Sequence, residues 1–86
     1  MQYIILDLRE ITERDALHDF LQEKLDLPAY YGRNLDALHD CLGDICEPTC
    51  VSIYTGETNR YLRTMEQVFR DSAAENPNLF VYCRTA

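Results

Sequence analysis

Three short apolar runs rich in β-branched and aromatic residues, each separated from the next by a stretch of helical periodicity, constrain the fold more than any other feature. The runs are Tyr3-Ile4-Ile5-Leu6-Asp7-Leu8, Cys50-Val51-Ser52-Ile53-Tyr54 and Leu79-Phe80-Val81-Tyr82-Cys83. Strands joined by helices run parallel, because a long crossover is needed to start a second strand in the same direction, and such crossovers are right-handed. The expected order is strand, helix, helix, strand, helix, strand. That is an α/β fold with a three-stranded parallel sheet and helices packed on it. Tyr3 to Leu8 is almost continuously apolar, as in a strand covered on both faces. It is therefore expected in the middle of the sheet, which implies the strand order 2-1-3. No repeat, linker or low-complexity segment interrupts residues 1–86, which read as one domain with one core and no deep substrate cavity.

The helices carry their own punctuation. Thr12 is placed to cap the first, with Asp15 three residues on as a partial capping box and Ile11 facing Ala16 across the staple positions. Leu17, Phe20, Leu21 and Leu25 continue one apolar face as far as Pro28, which forces the preceding residue out of the helical region. His18 reads as a plain surface histidine on the polar side. Gly32 can take the backbone angles of a tight turn, and Asn34 is placed to cap the second helix by accepting a backbone N–H one turn on. Leu35, Leu38, Leu42 and Ile45 then form the buried stripe of that helix. The last and longest helix runs from about Glu57 to Asn76-Pro77, with Tyr61, Leu62, Met65, Val68, Phe69 and Ala73 as its core face.

The second helix is unusual in its charges. Asp36, Asp40 and Asp44 are four residues apart and stand above one another beside the apolar stripe. Like charges at this spacing destabilise a helix by roughly 0.2–0.5 kcal/mol per pair. No Lys or Arg occurs between Arg33 and Arg60, whereas Asp36, Asp40, Asp44, Glu47 and Glu57 fall inside that window. A single-sign row beside two tyrosines suits a positively charged partner, although an acidic face can also be merely solvated. The net charge of −7 argues against nucleic acid or an anionic membrane as the direct ligand, because both are polyanions. Met1 leads straight into a strand-like run with no basic start or small-residue cleavage site, and no apolar run approaches membrane length. The expected compartment is the cytoplasm, where thiols stay reduced. Cys41, Cys46 and Cys50 with nearby His39 lack the paired knuckle of structural zinc sites, so these and Cys83 read as inert thiols, with no metal or cofactor implied.

Taken together, Leu27-Pro28-x-Tyr30-Tyr31-Gly32-x-Asn34-Leu35-Asp36-Ala37-Leu38-x-Asp40-Cys41-Leu42 resembles the barstar family, intracellular inhibitors of the ribonuclease barnase, across sixteen positions. Gln67-Val68-Phe69-Arg70-Asp71 is similar to the family's Gln-Val-Phe-Arg-Glu, and the element order agrees along essentially the whole chain. The resemblance implies a cytoplasmic immunity protein, not an enzyme, expected as a monomer that forms a 1:1 heterodimer with a secreted or toxin ribonuclease. Its nuclease-binding residues would be Tyr30, Gly32, Asn34, Leu35, Asp36, His39, Asp40, Gly43, Asp44 and Asp71. Carried over position by position, Tyr30 would lie against the catalytic histidine of the nuclease and Asp40 would replace the substrate phosphate among active-site arginines. Asp36 would pair with a further arginine, Asn34 and Leu35 would pack at the mouth, and Asp71 would reach a peripheral cation. A phosphate-binding cleft is cationic, and a carboxylate among arginines makes strong charge-assisted bonds, so an acidic row is its complement. The chain departs from the family pattern at the contact rim: His39 stands where a large aromatic is usual, Ile45 replaces a tryptophan, and Asp44 replaces a glycine. Two other classes stay open, an acidic adaptor for a different basic protein and a Mg²⁺-dependent enzyme using Asp36, Asp40 and Asp44 as oxygen ligands.

Overall fold

A computed structural model describes residues 1–11, 13–29, 31–56 and 60–85, residue 85 by its backbone alone. The elements follow the expected order: β1 (Gln2–Asp7), α1 (Arg14–Lys24), α2 (Leu35–Gly43), β2 (Thr49–Thr55), α3 (Arg60–Glu75) and β3 (Leu79–Thr85). The Thr12 cap and the Glu57 start of the last helix lie outside the described residues. Among the described residues no helix is long and apolar enough to cross a membrane.

All three strands are parallel, but their order is 1-2-3 and not 2-1-3. Tyr3, Cys50 and Phe80 share one level of the ladder, Ile5, Ser52 and Tyr82 the next on that face, and Asp7, Tyr54 and Arg84 the one after. The central strand is β2, whose Thr49, Val51, Ile53 and Thr55 are buried while the residues between them are half-covered. β1 is an edge: Leu6 is buried, whereas Tyr3 and Ile5 point to solvent. The expectation failed because a strand covered on both faces and a strand with an uncovered apolar face give the same run of letters. Topology explains which of the two is present. Right-handed crossovers that step twice in the same direction place every helix on one side of the sheet, whereas the order 2-1-3 would have put helices on both. The core accordingly lies on one face, where Leu6, Leu8, Val51, Ile53 and Leu79 meet Leu17 and Leu21 of α1, Leu38 and Leu42 of α2, and Leu62, Met65 and Phe69 of α3.

α1 ends in a turn that directs the chain toward the acidic helix. Leu27 N–H donates to Gln22 O and Asp26 N–H to Glu23 O, closing the last helical turn around Asp26, which has φ 52°. Glycine is the usual residue at this left-handed position, and Pro28 shortly beyond it prevents the helix from resuming. The chain then runs through Tyr31, whose backbone N–H donates to Pro28 O at 2.9 Å.

His18 is 1% exposed, so it is a core residue and not a surface histidine. Its Nδ1 lies 2.6 Å from the hydroxyl of Tyr31 and its Nε2 2.6 Å from the hydroxyl of Tyr61, which ties the loop before α2 to both α1 and α3. Its position three residues before Leu21 and seven before Leu25 puts it on the apolar stripe, a signal that its polarity masks. A neutral imidazole has one N–H and one lone pair, so one tyrosine accepts from it and the other donates to it. Burial, followed by the charges of Arg33 and Arg14, holds the imidazole below its ordinary pKa, and burial pushes the Tyr31 hydroxyl up to about 12.

Because the folded-state pKa of His18 is depressed, its contribution to stability is complete above the unfolded value of about 6.5. It declines below that pH, where the unfolded chain binds a proton that the folded chain refuses, until the folded imidazole also titrates. Urea midpoints of wild type and His18→Gln, compared at about pH 7.5 and about pH 5.5, should show the wild type losing more stability on acidification. An equal loss in both proteins contradicts the linkage.

Candidate functional site

The acidic helix is held at both ends by polar contacts. At its start Asn34 Oδ1 accepts Ala37 N–H at 2.8 Å, and Asn34 Nδ2 donates to Gly32 O at 3.2 Å. This is the cap read from the sequence. The turn before it works differently from the expectation, because Arg33 and not Gly32 takes the left-handed angle, with φ 56°. Gly32 is needed for space: a Cβ there would stand 3.3 Å from both Ala37 Cβ and Asn34 Nδ2. Arg33 reaches back to α1, pairing with Asp19 at 2.5 Å and donating to Asp15 O at 3.2 Å. The cation that directly precedes the acidic row in sequence is thereby engaged by α1. At the far end the buried Asn76 donates from Nδ2 to Leu42 O, which also accepts Ile45 N–H, and to Ile45 O just beyond the helix, both at 3.0 Å, fastening the end of α2 to the end of α3. Asn76 reads in the sequence only as a helix stop, and nothing local announces this contact 34 residues away in the chain.

Asp36 and Asp40 project from the exposed side of α2, and Asp44 follows as its C-terminal cap residue. Among the described residues none of the three makes an ion pair. Asp40 and Asp44 border a groove of about 640 Å³ between α2 and the preceding loop, floored by Leu27, Pro28, Tyr31 and Ile45. The groove is therefore apolar within and acidic at its rim. Tyr31 lines the groove and is 5% exposed, so it belongs to the core; Tyr30 lies outside the described residues. Leu35 is half-buried at the start of the helix, and Gly32, Asn34 and Gly43 are exposed.

The opposite flank of α2 meets α3. His39 Nε2 lies 3.3 Å from Glu75 Oε2, and the two residues line a cleft of about 320 Å³ with Gly43 and Ser72. Ser72 Oγ is the one buried side-chain oxygen among the described residues without a hydrogen-bond partner. Asp71, one turn before Glu75, is exposed and accepts from Gln67 Nε2 at 2.9 Å. Glu75 extends the acidic surface and was not singled out from the sequence, although its spacing of four residues from Asp71 repeats the pattern of α2. The cysteines are all free; Cys46 is exposed and Cys41, Cys50 and Cys83 are half-buried, with desolvation raising the pKa of Cys41 and Cys83. No group of three or more His, Cys, Asp or Glu side chains converges on a common point among the described residues.

Asn34→Ala removes the acceptor that caps α2 and should cost about 1 kcal/mol. Urea unfolding would register this as a lower midpoint with an unchanged slope, and an unaltered midpoint would mean that the cap does not hold the helix.

Two comparisons bear on what this surface is. Over 42 residues, 49% of this chain and 46% of the relative, the sequence is 60% identical to a protein of Bacillus subtilis (strain 168) named "Putative ribonuclease inhibitor YrdF". The matched segment thus spans about half the length of that relative. The model of the family described as "Barstar (barnase inhibitor)" matches residues 1–82, nearly the whole chain and all of the acidic surface. That family is one of inhibitors and not of enzymes. The chain belongs to the barstar family.

Proposed function

We propose that this chain inhibits a ribonuclease by inserting the exposed side of α2 and the loop before it into the enzyme's cationic cleft, with Asp40 in the place of an RNA phosphate. The observation that carries the reading is the row Asp36, Asp40 and Asp44, without an ion pair among the described residues, of which Asp40 and Asp44 border an apolar groove. In the free protein these carboxylates repel one another. A cationic cleft relieves that repulsion, so the strain of the isolated helix becomes association energy and electrostatic steering. Asp40, in the last turn of α2, serves as the central anchor, with Asp36 on one side of it and Asp44 on the other. Asn34 and Leu35 meet the mouth of the cleft beside Gly32, and Tyr30 lies against the enzyme's catalytic histidine. On the α3 side His39, Gly43, Asp71 and Glu75 form the outer contact, where a basic side chain of the enzyme can exchange with His39 for the Glu75 carboxylate. The partner is a ribonuclease of the barnase type, bound one to one.

An acidic adaptor for some other basic protein would use the same charges. It would not need the apolar floor of Leu27, Pro28, Tyr31 and Ile45, and on that ground the shaped inhibitor is favoured.

Titrating the purified chain into barnase while following RNA cleavage should stop the reaction near equimolar ratio, and undiminished cleavage in excess inhibitor would contradict the reading. Asp40→Ala should cost roughly 2–5 kcal/mol of binding, because it strands desolvated cations in the cleft, whereas Asp44→Ala at the rim should cost less than about 1 kcal/mol. Equal losses would place the centre of the contact elsewhere.

A further inference from the structure

The groove beside α2 stays open where a protein interior would close. Leu25, Leu27, Pro28, Cys41 and Ile45 line it and are only half-buried, although apolar side chains on facing walls ordinarily pack until no such space remains. Both walls are pinned from behind. On the loop side Leu27 N–H donates to Gln22 O at 3.0 Å, Tyr31 N–H donates to Pro28 O at 2.9 Å, and the Tyr31 hydroxyl is fixed on His18. On the other side Asn76 holds the carbonyls of Leu42 and Ile45. Two small residues, Gly32 and Ala37, also line the space, and even a Cβ at Gly32 would stand 3.3 Å from Ala37 Cβ. The volume of about 640 Å³ is that of a ligand pocket, and a site shaped before binding loses little on ordering when an occupant arrives.

The rim carries one sign of charge on both banks. Asp40 and Asp44 stand on the α2 bank, and Asp26 stands on the loop bank, in the turn that closes α1. All three are exposed, none makes an ion pair among the described residues, and no Lys or Arg lines the groove. The two cations nearest in sequence are engaged elsewhere. Lys24 Nζ lies 5.7 Å from the centre of the Phe20 ring and borders a different cleft, and Arg33 is held by Asp19 and Asp15 O. Asp26 has φ 52°, a conformation that glycine adopts freely, and the fold makes no ion pair with the carboxylate that it places there.

An apolar floor between carboxylates selects an occupant that is apolar at its centre and cationic at its flanks. A metal ion does not meet that description, because the carboxylates do not converge on one point among the described residues and a hydrated ion gains nothing from the floor. A second copy of the chain would bring a net charge of −7 to a negative rim. A ribonuclease surface is cationic around its cleft, since its substrate is a polyanion. Asp40 borders the groove and also stands at the centre of the contact proposed above, so the segment that enters the groove belongs to the same enzyme. We propose that the groove is a second anchoring pocket, which takes an exposed apolar side chain of the ribonuclease bracketed by lysine or arginine, with Asp26 as the carboxylate that selects for it. The identity of the partner rests on the inhibitor reading, whereas the chemistry of the occupant does not.

Acetyl-Lys-Phe-Arg-amide, titrated into the full chain, should move the backbone amide resonances of Leu27, Cys41 and Ile45 in a saturable way. Acetyl-Lys-Gly-Arg-amide keeps the charge and lacks the ring, and acetyl-Glu-Phe-Glu-amide keeps the ring and reverses the charge; each should bind about tenfold more weakly or worse. Asp26→Asn tolerates the left-handed turn and should weaken binding of the first peptide and of barnase about threefold each, with the urea midpoint retained. Glu10→Gln, an equal change of charge outside the groove, should alter neither. Absence of a saturable shift, or equal binding of the glycine peptide, overturns the pocket, and barnase affinity unaltered by Asp26→Asn overturns the role of Asp26. Equimolar inhibition of barnase without peptide binding would sink the pocket alone, whereas peptide binding as described without inhibition of barnase would sink the inhibitor reading and leave the chemistry of the pocket supported.

Discussion

The imidazole of His18, enclosed between the hydroxyls of Tyr31 and Tyr61, is the contact on which the position of the acidic helix depends. It joins three segments distant in sequence: the first helix, the loop that leads into α2, and the last helix. Loops ordinarily belong to the most mobile part of a fold. This one is closed by a left-handed turn at Asp26, fastened through Tyr31 and drawn back to α1 by Arg33. Asn76 secures the other end of α2. A row of like charges weakens a helix, and here that weakness is offset by contacts at its termini and by the buried Leu38 and Leu42, none of which involves the carboxylates. The acids are therefore available for another molecule.

The same economy of contacts governs the sheet. Stepping from β1 to β2 to β3 in one direction concentrates all three helices on one side, and with them the whole core. α2 thereby packs against α3, and the loop before it is tied to α1. The other side of the sheet is left apolar. One topological fact thus accounts for both surfaces, the acidic one on which the inhibitor reading rests and the bare apolar one.

Much of this could be read from the letters. The three β-rich runs, the cap at Asn34 and the Leu38 and Leu42 stripe are local signals, because turn chemistry and periodicity act within a few residues, whereas the first helix ends at Lys24, before the Pro28 stop read from the sequence. The acidic row was equally plain, and its motif carried the family. What could not be read was decided by partners far along the chain. His18 looks polar until two tyrosines satisfy it, and Asn76 looks like a mere stop until the carbonyls of α2 arrive. The strand order failed for the same reason, since Tyr3 and Ile5 are apolar whether a helix covers them or not. Arg33 took the strained turn position that Gly32 was expected to occupy, because Gly32 is needed for its small size beside Ala37.

The central claim is that a carboxylate occupies the site of RNA phosphate in a ribonuclease, and steady-state kinetics of barnase with a short RNA substrate test it most directly. Raising the substrate concentration should overcome inhibition by the chain in a purely competitive pattern, with KM increased and kcat unchanged, once affinity is lowered enough by added salt for exchange to be fast. Inhibition that lowers kcat and leaves KM as it was would mean that the inhibitor binds away from the phosphate site, and would contradict the claim.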